Sequence, residues 1–159
     1  MIVAKTKGLG SLISLEVDGE LYDVSTAGRG FLKRIFGQTY SVVERASGTQ
    51  ALVKYKVLAN RIEIEKNETK ASLRLRTVRP SRLVLAGEEY QVTFGKLHGT
   101  IDIAREGETV ASGSIQTTSV SFQEGAGPIK SILPELAVGL CIWLKNFQGF
   151  LGAMVGGQA

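Results

Sequence analysis

The chain predicts a mainly β fold: a closed antiparallel β-barrel of about twelve strands wrapped around a hydrophobic C-terminal α-helix. Three observations carry this expectation. Short alternating runs recur at a spacing of about ten residues, separated by turn-forming residues. The longest apolar run, "LPELAVGLCIWLKNF" at residues 133–147, follows all of these strands. That run has no polar face over nine consecutive residues, Leu136 to Leu144, so as a helix it must be buried on every side. The 159 residues predict a single domain, with strands over about residues 2–123 and the helix over about residues 132–150.

The strands follow in order. "SLISLEV" and "ELYDVS" flank Asp18-Gly19, a two-residue hairpin signal. "TYSVVER" and "TQALVKYKVL" flank Ala46-Ser47-Gly48, and "RIEIEK" and "KASLRLRTV" flank Asn67-Glu68. "SRLVLA" and "EYQVTFG" flank Gly87, "GTIDIAR" and "TVASGSI" flank Glu106-Gly107, and "TSVSFQ" is last. Alternation assigns the faces. Ile62 and Ile64 oppose Arg61, Glu63 and Glu65; Leu73 and Leu75 oppose Arg74 and Arg76. Tyr90, Val92 and Phe94 oppose Gln91 and Thr93, and Ile101 and Ile103 oppose Thr100 and Asp102. Each strand therefore has one wet face and one buried face.

The last segment reads as a helix at both ends. Pro134 suits the first turn. Glu135 complements the positive end of the helix dipole and Lys145 the negative end. The segment is shorter than the ~20 apolar residues a bilayer requires. Extending it to Val155 means crossing Lys145, Asn146 and Gln148. The reading that fits is a helix enclosed by the sheet, with Ala137 and Gly139 letting strands approach its backbone. Gly152 and Gly156 have the spacing of a membrane-helix packing motif, but outside a membrane they predict a frayed end.

Composition bounds the function. With 43% hydrophobic and 21% charged residues, the balance is that of an ordinary globular protein. A net charge of +4 permits an anionic partner without demanding one. Cys141 is the single cysteine, which excludes an intrachain disulfide and favours a reducing compartment. "MIVAKTKGLGSL" has no apolar signal-peptide core, so the expected place is the cytoplasm, including the surface of a membrane. The Asn67-Glu68-Thr69 sequon falls in a hairpin turn and matters only in a secreted protein.

About a dozen antiparallel strands followed by one apolar C-terminal helix resembles the tubby-like superfamily, which includes tubby C-terminal domains, LURP-one-related proteins and phospholipid scramblases. The resemblance covers about residues 12–150 and rests on the order of elements and on "LPELAVGLCIWLKNF". It implies a twelve-stranded barrel around its helix and a non-enzymatic module acting at membranes through phosphoinositides or other lipids. In tubby domains, basic residues on strands hold the head groups; no such position transfers to this chain residue by residue.

Catalytic constellations are poor. His98 is the only histidine, so a two-His zinc site is excluded. A Cys141–His98 pair would need a cysteine on an apolar helix to meet a histidine on a wet face. Glu63 and Glu65 share a strand face and read as solvated or paired with cations next door. "GLGS" and "AGRG" lack the following helix of a phosphate loop. The expectation is no enzyme activity, no metal and no cofactor.

Two segments carry binding chemistry. "KASLRLRTVRPSR" holds five cations and no acid: Lys70, Arg74, Arg76, Arg79 and Arg82. The preceding strand offers partners in either of two registers. A four-residue loop sets Glu63 opposite Arg74, and a two-residue loop sets Glu65 opposite Lys70. Arg76, Arg79 and Arg82 have no such partner and are the stronger candidates for an anionic head group. In "GRGFLKRIFGQ", Phe31, Leu32, Ile35 and Phe36 fall on one side of a helical turn and Lys33 and Arg34 on the other. That is the pattern of an interfacial segment, with Phe31, Ile35 and Phe36 as membrane contacts and Arg29 as a further cation. A plug over one end of the barrel is its structural reading. Wet faces without interleaved aromatics argue against nucleic acid. The leading expectation is a non-catalytic membrane-surface module for anionic lipid or phosphoinositide head groups. The alternatives are a structural or protein-interaction domain without a lipid partner, and a protein anchored in a membrane by its last helix.

Overall fold

The computed structural model describes residues 1–7, 12–26, 38–76, 80–95 and 99–156, with Glu124 and residues 147–156 described as backbone only. Twelve strands form the wall: β1 (Ile2–Lys7), β2 (Leu12–Val17), β3 (Glu20–Thr26), β4 (Gln38–Val43), β5 (Gln50–Lys56), β6 (Arg61–Lys66), β7 (Thr69–Arg74), β8 (Ser81–Leu85), β9 (Glu88–Phe94), β10 (Thr100–Arg105), β11 (Glu108–Ile115) and β12 (Ser119–Gly125). Each strand pairs antiparallel with its neighbour in sequence, and β1 pairs with β12, so the sheet closes into a barrel. Closure removes the exposed edges that an open meander would leave. A 3-10 helix (Gly127–Ile132) then turns the chain into the barrel, and α1 (Leu133–Gly156) runs down from there, its side chains buried through Ile142.

The strand faces follow the alternation. Ile62, Ile64, Leu73, Leu75, Tyr90, Val92, Ile101 and Ile103 are all buried. The hairpins beside the helix entrance, here the upper end, include tight turns with left-handed backbone: Asp18-Gly19 (φ 50 and 85), Asn67-Glu68 (47 and 65), Ala86-Gly87 (49 and 83) and Glu106-Gly107 (51 and 82). Positive φ at both central residues matches the twist of the flanking strands. The Asn67-Glu68 turn decides between the two registers: Glu65 lies opposite Lys70 and Glu63 opposite Ser72, not opposite Arg74. The connection between β4 and β5 spans residues 44–49, and its ends are tied by the Glu44 N–H donating to the Thr49 carbonyl at 3.0 Å.

The helix is enclosed. Leu133, Leu136, Ala137, Val138, Leu140, Cys141 and Ile142 have no exposed surface. It lies closest to β1, β2 and β12 on one side and to β5 and β6 on the other. Gly139 makes the second approach possible: a Cβ there would sit 2.5 Å from Ile62 Cγ2. By length and composition the 20 residues Gly127–Asn146 qualify to cross a membrane, but 67% of the 18-residue window that qualifies is buried inside the barrel. Trp143 is half-buried, not sealed, with its ring 5.5 Å from that of Phe94 at the lower end. The helix also extends to Gly156, past the end near residue 150 and through the Gly-rich tail expected to fray. Once the barrel holds the first turns, each further helical residue adds a hydrogen bond without a new nucleation cost.

Cys141 reports on this enclosure. Its thiol donates to the Ala4 carbonyl at 3.4 Å, and burial pushes its pKa up to about 12. The folded thiol is therefore neutral at neutral pH and sealed from reagent. A maleimide or disulfide reagent is expected to label it at least about a hundred-fold more slowly in native protein than in denaturant, because labelling must wait for opening. Comparable rates would contradict the enclosed helix. The same shift sets a pH dependence: an unfolded thiol ionises from about pH 9, while the folded one resists to about pH 12. Stability is thus intact below pH 9 and falls through that window by up to about 4 kcal/mol. Burial also raises the pKa of Tyr40 and Tyr55, which deepens the fall above pH 10. Cys141→Ala should flatten the lower part of the curve.

Candidate functional site

The outward faces of β5 to β8 carry a row of cations. Successive cross-strand partners are Lys56 and Arg61, then Arg61 and Arg74, then Arg74 and Arg82. All four point away from the core, because Tyr55, Ile62, Leu73 and Leu83 beside them point in. Adjacent strands lie about 4.8 Å apart, so the row spans about 15 Å across four strands. Like charges directly opposite one another are destabilising in a sheet. The row is partly neutralised. Glu63 Oε1 lies 3.2 Å from Lys56 Nζ and 3.7 Å from Arg61. Arg82 Nε lies 2.9 Å from Glu89 Oε1.

That last pair corrects the expectation that Arg82 lacks a local partner. The strand looked to for partners was β6, whereas Glu89 arrives diagonally from β9 on the other side. Arg74 and Arg76 have no ion-pair partner among the described residues; Arg76 continues the patch past the end of β7, its backbone N–H donating to Ser81 Oγ. Lys56 and Arg61 belong to the row and were missed. They sit on a different hairpin from Arg74, and only the register brings them together. Lys70 lies near the opposite end of β7, beside Glu65. Arg79, Lys33, Arg34, Phe31, Ile35, Phe36 and His98 lie outside the described residues.

The row is one part of a larger asymmetry. Strands, turns and helix can be divided into an upper half, where α1 enters, and a lower half, toward which it runs. By backbone position, the lower half holds Lys5, Lys7, Lys54, Lys56, Arg61, Arg74, Arg76, Arg82 and Lys145 against Glu63 and Asp102, nine cations to two acids. The upper half holds Arg45, Lys66, Lys70, Arg105 and Lys130 against the other thirteen acids. The described residues thus carry +7 below and −8 above; the five remaining cations bring the chain to +4. A small net charge conceals a strong dipole along the barrel axis. Such a distribution orients a molecule in the field of a charged partner.

Elsewhere the surface offers less chemistry. An open groove of about 680 Å³ on the upper half is lined by Met1, Thr109, Val110, Ser112, Gln123 and their neighbours, with no acidic or basic side chain. Among the described residues, no three His, Cys, Asp or Glu side chains are grouped to hold a metal ion. No family model, curated protein or solved structure matches the chain.

Proposed function

We propose that this barrel is a non-catalytic module that binds anionic lipid head groups at a membrane surface. The observation that supports it most is the row Lys56–Arg61–Arg74–Arg82. One of its two inner members, Arg74, faces a cation on both sides and has no ion-pair partner of its own among the described residues. A sheet gains nothing in stability from that arrangement, and departures from local stability rules concentrate at functional sites. A flat, multivalent anionic surface supplies the missing counter-charge. Kinship with the tubby-like barrels is part of the same proposal and rests on the shared order of strands and helix. The apolar residues of α1 that a membrane anchor would use are spent on the barrel core, which favours surface binding over insertion of that segment.

The test separates binding from stability. Arg74→Gln with Arg76→Gln removes two cations without breaking a described ion pair. Each cation contributes about 1 kcal/mol near an anionic surface, so affinity for phosphatidylserine-containing vesicles should fall about thirty-fold at low salt. The salt dependence should flatten, since screening acts on the charge term alone. Folding stability should stay level or rise slightly, because a like-charge contact is relieved. Unchanged vesicle binding would sink the head-group reading and leave a protein-interaction domain in front.

A further inference from the structure

We propose that the lower end of the barrel is the face that meets the bilayer, with the barrel axis steep to the membrane and Leu58 entering the boundary between head groups and acyl chains. This rests on the membrane-surface reading above and adds the docking pose and an apolar contact. Three observations carry it.

The first is the charge dipole. Among the described residues, nine of the fourteen cations lie in the lower half and thirteen of the acids in the upper half. Strands of five to eight residues, tilted as barrel walls are, give a wall about 15–20 Å high. That is about two Debye lengths at physiological salt. Standing on its lower end, the barrel holds its acids beyond the reach of an anionic surface. Lying on its side, it would press Glu65, Glu68 and Glu88 toward that surface along with the arginines.

The second is Leu58. It sits in the turn joining β5 to β6, two residues after Lys56 and three before Arg61, and is 82% exposed. The turn is rigidly held: Tyr55 donates to Asn60 Oδ1 at 3.0 Å, and Asn60 Nδ2 donates to the Leu75 carbonyl at 3.2 Å. The leucine is thus presented beyond the cation row on a fixed support. Leu12, 66% exposed, stands at the same end at the start of β2. An apolar tip ringed by cations is the arrangement that an interfacial contact requires.

The third is the course of α1. Its 24 residues extend about 36 Å, about twice the height of the wall. The side chains through Ile142 are buried in the barrel, so the helix axis leaves through the lower end. The ten residues that continue it, 147–156, include no charged residue. An uncharged helical extension on the axis of the cationic end points the same way as Leu58.

The experiment places an environment-sensitive NBD dye on Leu58→Cys and, at the opposite end, on Leu21→Cys, where the native leucine is 52% exposed. Cys141 is buried and stays unlabelled under native conditions. With phosphatidylserine-rich phosphatidylcholine vesicles, the dye at position 58 should shift to the blue, brighten several-fold and be quenched by shallow acyl-chain quenchers. The dye at position 21 should report water throughout. Leu58→Ser, at an exposed position that folding does not need, should weaken vesicle binding about ten-fold at low and high salt alike, the mark of an apolar contribution. Vesicle sedimentation without a shift at position 58, or with one at position 21, would overturn this pose and leave the head-group reading intact. Absence of sedimentation at low salt would overturn both readings. Salt-sensitive self-association without vesicle binding would also overturn them, because the two oppositely charged ends would then be serving each other.

Discussion

Replacing Leu140 with aspartate is expected to unfold the domain. Leu140 lies in the fully buried stretch of α1 and has no exposed surface. Truncating such a leucine costs about 2–5 kcal/mol from lost transfer energy and the cavity left behind. A carboxylate in its place adds a buried, unpaired charge worth several kcal/mol more. The sum is comparable with the whole stability of a small domain, about 5–15 kcal/mol. The effect is amplified by position, because α1 touches β1, β2, β5, β6 and β12, strands from opposite sides of the wall. A barrel that loses its helix loses the buried side chains of Leu133 to Ile142 from its core. Circular dichroism and a thermal melt are sufficient readouts, with Leu140→Met as the volume-matched control, expected to cost under about 1.5 kcal/mol. A Leu140→Asp protein with a native melting transition would show that the helix is not the core.

The fold was legible because its signals are local and repeated. Ile62 and Ile64, or Leu73 and Leu75, announce a buried strand face within a few residues, and the run from Leu136 to Leu144 lacks any polar face to expose. Closure was legible only indirectly, through the need to cover that helix; the β1–β12 pairing joins residues at the two ends of the strand region and leaves no local mark. The candidate site was less legible for the same reason. Arg74 could be seen, but its neighbours Arg61 and Arg82 depend on the register of two hairpins, and Lys56 on a third. The two-residue and four-residue loops at Asn67 both kept the isoleucines inward, so alternation alone could not choose between them. The charge dipole was hidden by the net value. Acids and cations alternate along the sequence, and only the up-and-down course of the strands sorts them to opposite ends.

Replacing Lys66 with methionine should destabilise the barrel by about 3–5 kcal/mol, an effect larger than an ion pair on a strand terminus would suggest. The reason is its partner. Glu135 lies in the first turn of α1 with its side chain only 2% exposed, and its Oε1 is 2.8 Å from Lys66 Nζ. Its Oε2 has no hydrogen-bond partner among the described residues. Lys66, itself only 19% exposed, also donates to the Ser131 carbonyl at 2.9 Å. One ammonium group thus ties the end of β6 to both the 3-10 helix and α1, at the point where the chain turns into the barrel. The helix dipole favours a carboxylate in this first turn, but by only about 0.3–1 kcal/mol, too little to hold it out of water alone. Removing the lysine therefore strands a charge that burial opposes. Removing both charges does not: Lys66→Met with Glu135→Leu should recover most of the loss, because a packed apolar pair can replace a buried ion pair at little cost. Urea unfolding of the two single variants and the double variant closes the cycle. A coupling energy above about 2 kcal/mol would mark the pair as an interior clasp on the helix. A Lys66→Met cost below about 1 kcal/mol, the range of an exposed pair, would mean that water reaches Glu135 and that apolar packing alone seats the helix.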